Sequence, residues 1–206
     1  MFIKKVIGIL CVGLGLFGTA QCQSLELMPG TERFFADVQW LKPLDKDYKF
    51  SLFSRTRATV DYENNTDIFS GAYLNYTTKS GIGGSLVGRI SSGGAGAELG
   101  AHYFKKHSSI TFFGLASMAL AEEFSYSWFS IFRYRPSLNQ NWKLFTGVEL
   151  YSLFNTNGHV FSVQRLRAGL DRNSYQFGLA LNLSGSGADY TDTFTNPGIF
   201  IRKEFN

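Results

Sequence analysis

The sequence predicts an all-β chain, a closed antiparallel transmembrane β-barrel of about 12 strands (10 is the alternative count) behind a cleaved signal peptide. Three observations predict it. Beyond Cys22 the hydrophobic pattern repeats every two residues almost throughout, in segments separated by short turns rich in Gly, Asn, Asp, Ser and Lys. These segments run to about 10–14 residues, more than the five or six of a soluble strand and enough for the nine to eleven of a tilted membrane strand. Their two faces are also chemically distinct: all arginines except Arg172 fall within strands and fit one face, whereas the other face is apolar and carries aromatics near the strand ends.

Composition agrees. The 206 residues are one domain's worth of chain, 17% are charged, and 20 Phe and 10 Tyr are present. That excludes a disordered or collagenous chain. No uninterrupted apolar stretch reaches the roughly 18 residues of a membrane helix, which excludes a polytopic helical protein.

The first element is the leader. Lys4 and Lys5 precede the apolar run Val6–Gly18, and Thr19-Ala20-Gln21-Cys22 offers small residues for cleavage after Ala20. The expected division is 1–20 signal peptide and 21–206 barrel domain. A membrane anchor is the rival, but the run is short of the roughly 20 residues needed to span. Loss of Lys4 and Lys5 lowers the formal charge of +4 by two, so no nucleic-acid partner is implied. Cys11 leaves with the leader and Cys22 remains alone, so no intrachain disulfide is expected. Cys22 as an acylated first residue is disfavoured by Gln21, where a lipoprotein signal has a small residue.

Strands are expected near 32–42, 48–62, 68–78, 82–91, 95–105, 110–122, 125–136, 141–154, 159–171, 175–184 and 198–205. Along Lys49–Tyr62, one face holds Lys49, Ser51, Phe53, Arg55, Arg57, Thr59 and Asp61; the other, Phe50 to Tyr62, carries no charge. Tyr126, Trp128, Ser130, Phe132 and Tyr134 oppose Ser127, Phe129, Ile131, Arg133 and Arg135 in the same way. A soluble sandwich or lipocalin-like barrel shows identical alternation with the faces exchanged. Strand length and the interfacial aromatics Trp40, Tyr62, Tyr76, Tyr126, Trp128, Tyr134, Trp142 and Phe205 favour lipid on the apolar face. Lipid satisfies no backbone group, so the sheet must close.

The last segment, Gly198-Ile199-Phe200-Ile201-Arg202-Lys203-Glu204-Phe205, resembles the terminal strand of outer-membrane β-barrel proteins of Gram-negative bacteria, with Asn206 after the closing Phe as a departure. The resemblance implies placement in the cell outer membrane among its lipids, recognition of this strand by the barrel-assembly machinery, periplasmic termini and an even strand number. The eleven segments then need a twelfth, expected in Ser24–Glu32 and interrupted by Pro29-Gly30. The turns at 43–47, 79–81, 106–109, 137–140 and 172–174 fall on the periplasmic side. Those at 63–67, 92–94, 123–124, 155–158 and 185–197 face outward.

Lumen-lining candidates are Arg55, Arg57, Arg89, Arg133, Arg135, Arg165, Arg167, Glu98, His102 and Glu149. A ring of guanidinium groups selects anions, so a narrow passage for small anionic solutes is the leading expectation. A closed structural barrel, filled by arginine–carboxylate pairs and binding a partner through its loops, is the alternative. A lipid-modifying hydrolase is the third class, and it needs a nucleophile and base in reach. His159 and Ser162 are three apart on a strand, which points them to opposite faces. Glu98 and His102 share a face but lie about 13 Å apart, and His107 sits in a periplasmic turn. Only His102 with a serine from a neighbouring strand is left. No catalytic residue is assigned, the expected protein is not an enzyme, and neither metal nor cofactor is implied. Oligomeric state is left open.

Overall fold

The computed structural model describes residues 23–63 and 65–205; the expected leader and Cys22 lie outside the described residues. Twelve strands run β1 (Ser24–Pro29), β2 (Arg33–Pro43), β3 (Phe50–Asp61), β4 (Thr66–Thr77), β5 (Ile82–Ser91), β6 (Gly94–His107), β7 (Ile110–Ala119), β8 (Ser125–Tyr134), β9 (Lys143–Asn155), β10 (Gly158–Arg172), β11 (Tyr175–Ser186) and β12 (Asp192–Glu204). Each pairs antiparallel with its neighbours in chain order, and β1 closes on β12. The twelfth strand is therefore the one expected before Glu32, and it stops at Pro29, whose ring supplies no ladder N–H.

β12 differs from expectation. The segment 185–197 reads as a long loop because it holds Gly185, Gly187, Asp189, Asp192, Asn196 and Pro197. In the structure β11 and β12 pair from Ser186↔Asp192 down to Tyr175↔Lys203, which leaves only 187–191 as connection. Pro197 is tolerated because the ladder to β1 is incomplete there, covering Ile201–Glu204 and an isolated Gly30–Gly198 bridge. Asn196 faces inward and is fully buried. Its Oδ1 accepts the N–H groups of Glu32 and Arg33 at 3.0 and 3.2 Å, and its Nδ2 donates to the Arg33 carbonyl, so a turn-forming residue pins the β1–β2 turn. Gly30 lies directly against this amide, where a Cβ would have no space.

The connections fall at two ends. Those beside the chain termini include 44–49, 78–81, 108–109, 135–142 and 173–174, matching the predicted tight set within a few residues. Asp45 ties the first, accepting the Phe50 and Lys49 N–H groups at 2.6 and 3.2 Å. These amides hold its carboxyl below the usual carboxylate range.

The outer face is apolar. Leu179 and Ile199 are 69% and 60% exposed there, and Leu74, Leu86 and Ile201 are exposed beside them. The interior carries two apolar layers, Met28, Phe35, Phe145, Ala180 and Phe200 in one and Tyr73, Val87, Leu115 and Phe129 in the other.

Candidate functional site: the lumen and the outer rim

Alternation sends the strand arginines inward, most of them onto carboxylates, except Arg172, which was expected outside the strands but ends β10 on the outer side over Trp142. At the waist Arg55 forks onto Asp37, with Nε and Nη2 at 2.8 and 2.6 Å, and its Nη1 reaches Glu149 at 2.5 Å. Glu149 also accepts from Arg57 and, at 2.7 Å, from Arg165. One carboxylate thus joins three guanidinium groups across the lumen. Arg167 donates through Nε to Glu26 at 2.9 Å and through Nη1 to Asn182 at 2.9 Å, and Arg133 donates to Gln39 at 3.0 Å. Arg135 pairs with Asp171 and, at 3.0 Å, with Glu204. Arg89 meets Glu98 at 2.5 Å and the Tyr151 hydroxyl at 2.6 Å, while Ser117 and Ser127 donate to Glu98. Forked, charge-assisted contacts of this kind both hold and fill an interior. The void they leave at the waist is about 30 Å³, room for one or two waters.

Of the carboxylates that pair with these cations, Glu26 and Asp171 are not among the residues expected in the lumen. Glu26 and Asp171 were legible as alternation, in Ser24-Leu25-Glu26-Leu27-Met28 and in Arg165-Leu166-Arg167-Ala168-Gly169-Leu170-Asp171.

His102 does find a serine on the neighbouring strand. Ser85 Oγ lies 2.8 Å from its Nδ1 and donates to Asn75 Oδ1 at 2.7 Å; Thr77 Oγ1 is 2.9 Å from its Nε2. All polar atoms are engaged and Phe113 packs on the ring, so this group is interior packing.

The second pair corrects the expectation for His159 and Ser162. The β9–β10 register shifts between His159 and Phe161: His159 pairs with Phe154, and Phe161, two residues on, pairs with Leu153. This β-bulge inserts Val160 and returns His159 to the face of Ser162. Nε2 and Oγ are 2.6 Å apart. Ser162 Oγ donates to the hydroxyl of Ser152, opposite it, at 2.9 Å, and His159 Nδ1 is 2.8 Å from the Gly187 carbonyl. The face is the outer one. Phe154, the partner of His159, stacks on exposed Tyr126, and Ser152 pairs with Trp128, which is exposed to the surroundings of the barrel. Tyr190, from the 187–191 connection, stacks on the His159 ring at 3.9 Å.

The predicted aromatics lie outward. Tyr76, Trp128, Tyr134 and Phe205 are exposed; Trp40 is half-buried, and Trp142 is half-buried under Arg172 and Phe177.

Two solved barrels match over nearly their whole length. A NanC porin shares 9% identity, with 89% of this chain and 99% of that one covered at a TM-score of 0.53. A KdgM porin shares 8% with the same coverages at 0.52. The fold is that of outer-membrane β-barrels. No family model and no curated protein sequence matches the chain.

Proposed function

We propose that this is a cell outer-membrane barrel whose lumen is a packed ionic core, so that it acts through its membrane-facing and extracellular surfaces instead of as a conduit. The supporting observation is the clasp of Glu149 on Arg55, Arg57 and Arg165, with Asp37 beside it, across a waist that keeps only about 30 Å³ of void. The apolar outer face with its aromatic residues supports lipid as the surroundings. The β12 strand, with outward Ile199 and Ile201 and inward Phe200 and Arg202, supports insertion by the barrel-assembly machinery.

The reading as a passage for small anions keeps one favouring observation. The void is lined by Arg55, Arg133, Arg165, Arg167 and Arg202 against only Glu26 and Glu149. Charged rings of this sign select anions wherever the pairs part.

Conductance of the refolded protein in a planar bilayer under a salt gradient separates the two. The packed core gives no steady current. A steady anion-selective current that falls when Arg55 and Arg133 are changed to Ala would replace it with the passage.

A further inference from the structure

We propose that Ser162 and His159 form a nucleophile–base pair on the outer face of the barrel that hydrolyses the carboxylic esters of membrane lipid acyl chains. The inference rests on the barrel lying in a membrane, not on the lumen being closed.

The first argument is protonation. Gly187 offers His159 a carbonyl oxygen, which only accepts, so Nδ1 carries the ring proton in the neutral imidazole. Nε2 is then the basic nitrogen, 2.6 Å from Ser162 Oγ, and the Ser162 proton, directed at Ser152 Oγ at rest, reaches it by rotation about the Cβ–Oγ bond. A serine–histidine pair needs this tautomer to act as nucleophile and general base, with a third group orienting the ring. Here the third group is backbone.

The second argument is depth. Trp128, Ser152 and Ser162 stand in register across β8, β9 and β10, and Tyr126, Phe154 and His159 stand in register one pleat nearer the far rim. Exposed Trp and Tyr at a barrel rim mark the membrane–water boundary. Lipid ester linkages lie at that boundary, between headgroup and acyl chain. Ser162 therefore meets an ester carbonyl from the side, with its acyl chain running down the apolar wall.

The third argument is cover. Ser162 and His159 are only 7% and 8% exposed; Tyr190 stacks on the imidazole and Phe154 meets it edge-on. The stacked ring stands on a five-residue connection, and Tyr190 itself is 50% exposed with a positive φ of 54°. The same connection supplies the Gly187 carbonyl, so displacing Tyr190 opens the pair while the hydrogen bond that orients it stays in place.

The reaction balances with water as co-reactant. Ser162 Oγ bonds to the ester carbonyl carbon as its proton passes to His159 Nε2. The Ser152 hydroxyl, which at rest accepts the Ser162 proton, then donates its own to the oxyanion of the tetrahedral intermediate. Collapse breaks the carbon–alkoxide bond, and the leaving alcohol takes the proton from Nε2. Water then attacks the acyl-serine, gives its proton to Nε2, and the fatty acid leaves as Ser162 Oγ recovers it.

The test uses the refolded full chain. Two vesicle preparations, one of diacyl glycerophospholipid and one containing an acylated glucosamine lipid, are assayed for released fatty acid, and a fluorophosphonate probe reports serine reactivity. Release from either preparation, with labelling of Ser162, is expected, and the preparation turned over identifies the lipid source. Ser162→Ala, checked for folding by its unchanged melting transition in detergent, loses labelling and at least about a thousandfold in turnover. His159→Ala loses both as well, and Ser152→Ala lowers kcat about a hundredfold with KM little changed. Ser85→Ala leaves labelling and turnover at the parent level. Folded parent protein that releases no fatty acid from either preparation overturns the proposal, and so does Ser162→Ala with parental turnover. Neither result bears on conductance, so failure here and failure of the packed core are read separately.

Discussion

Among the described residues the barrel holds two serine–histidine pairs at similar distance, one through His102 Nδ1 and one through His159 Nε2, in unlike surroundings. Inside, Ser85 and His102 are 2.8 Å apart and are saturated by Asn75 and Thr77. Outside, Ser162 and His159 are 2.6 Å apart, with a backbone carbonyl on Nδ1, Ser152 beside the serine, Phe154 edge-on to the imidazole and Tyr190 stacked over it. The interior pair has acceptors and donors on every side and nowhere for a reacting carbon to stand. The outer pair faces the surroundings of the barrel on the side that Tyr190 covers. Distance between nucleophile and base is therefore a poor guide to reactivity. What surrounds the pair decides.

The sharpest way to break this comparison is to attack what keeps the interior closed. Glu149→Ala removes the carboxylate shared by Arg55, Arg57 and Arg165 and strands buried cations, so the melting transition in detergent should fall by about 3–5 kcal/mol of stability. A loss below about 1 kcal/mol would mean the lumen is wet and its pairs weak. Ser85→Ala leaves the Asn75 Oδ1 acceptor short of a donor and His102 Nδ1 without its hydroxyl partner, and should cost about 1–3 kcal/mol by the same melt. Tyr190→Ala removes one stacked ring at the rim, costing about 0.5–1 kcal/mol in stability. Fluorophosphonate labelling of Ser162 should meanwhile quicken; slower labelling would show that Tyr190 supports the pair and does not cover it.

The smallest effect belongs to the turn at the termini end. The Asp45 carboxyl titrates below its usual value, chiefly through the Phe50 N–H, so the tie is complete above the unfolded carboxyl range and lost as pH falls through the depressed folded one. Amide exchange at Phe50 should distinguish the parent from Asp45→Asn at pH 6, with the difference shrinking in acid.

How much of this was legible depended on whether a period of two could carry it. Inward Arg55, Arg57, Arg133, Arg165 and Arg167 follow from alternation, as do the outward rings of Tyr76, Trp128 and Phe205. Glu98 and Glu149 follow from it too; Glu26 was passed over because its strand is broken early by Pro29, and which carboxylate meets which arginine is a property of closure. The start of β12 was hidden for a different reason. Asp192, Asn196 and Pro197 are turn formers by local preference, and the complete ladder with β11 overrode it. The outer serine–histidine pair could not be found by alternation at all, since a two-residue template has no place for the extra Val160 that brings His159 round.

The seam of the barrel has its own consequence, for the order of events in folding. β1 is the shortest strand and meets β12 over four residue pairs, Ser24↔Glu204 to Leu27↔Ile201. Every other strand pair joins segments adjacent in the chain, whereas this one spans nearly its whole length and carries the largest loop-closure entropy. Closure therefore comes last in time. Until the final residues arrive, β11 presents a bare edge on one side and β1 on the other. A chain stopped before Gly198 would remain an open, adhesive sheet instead of a smaller barrel.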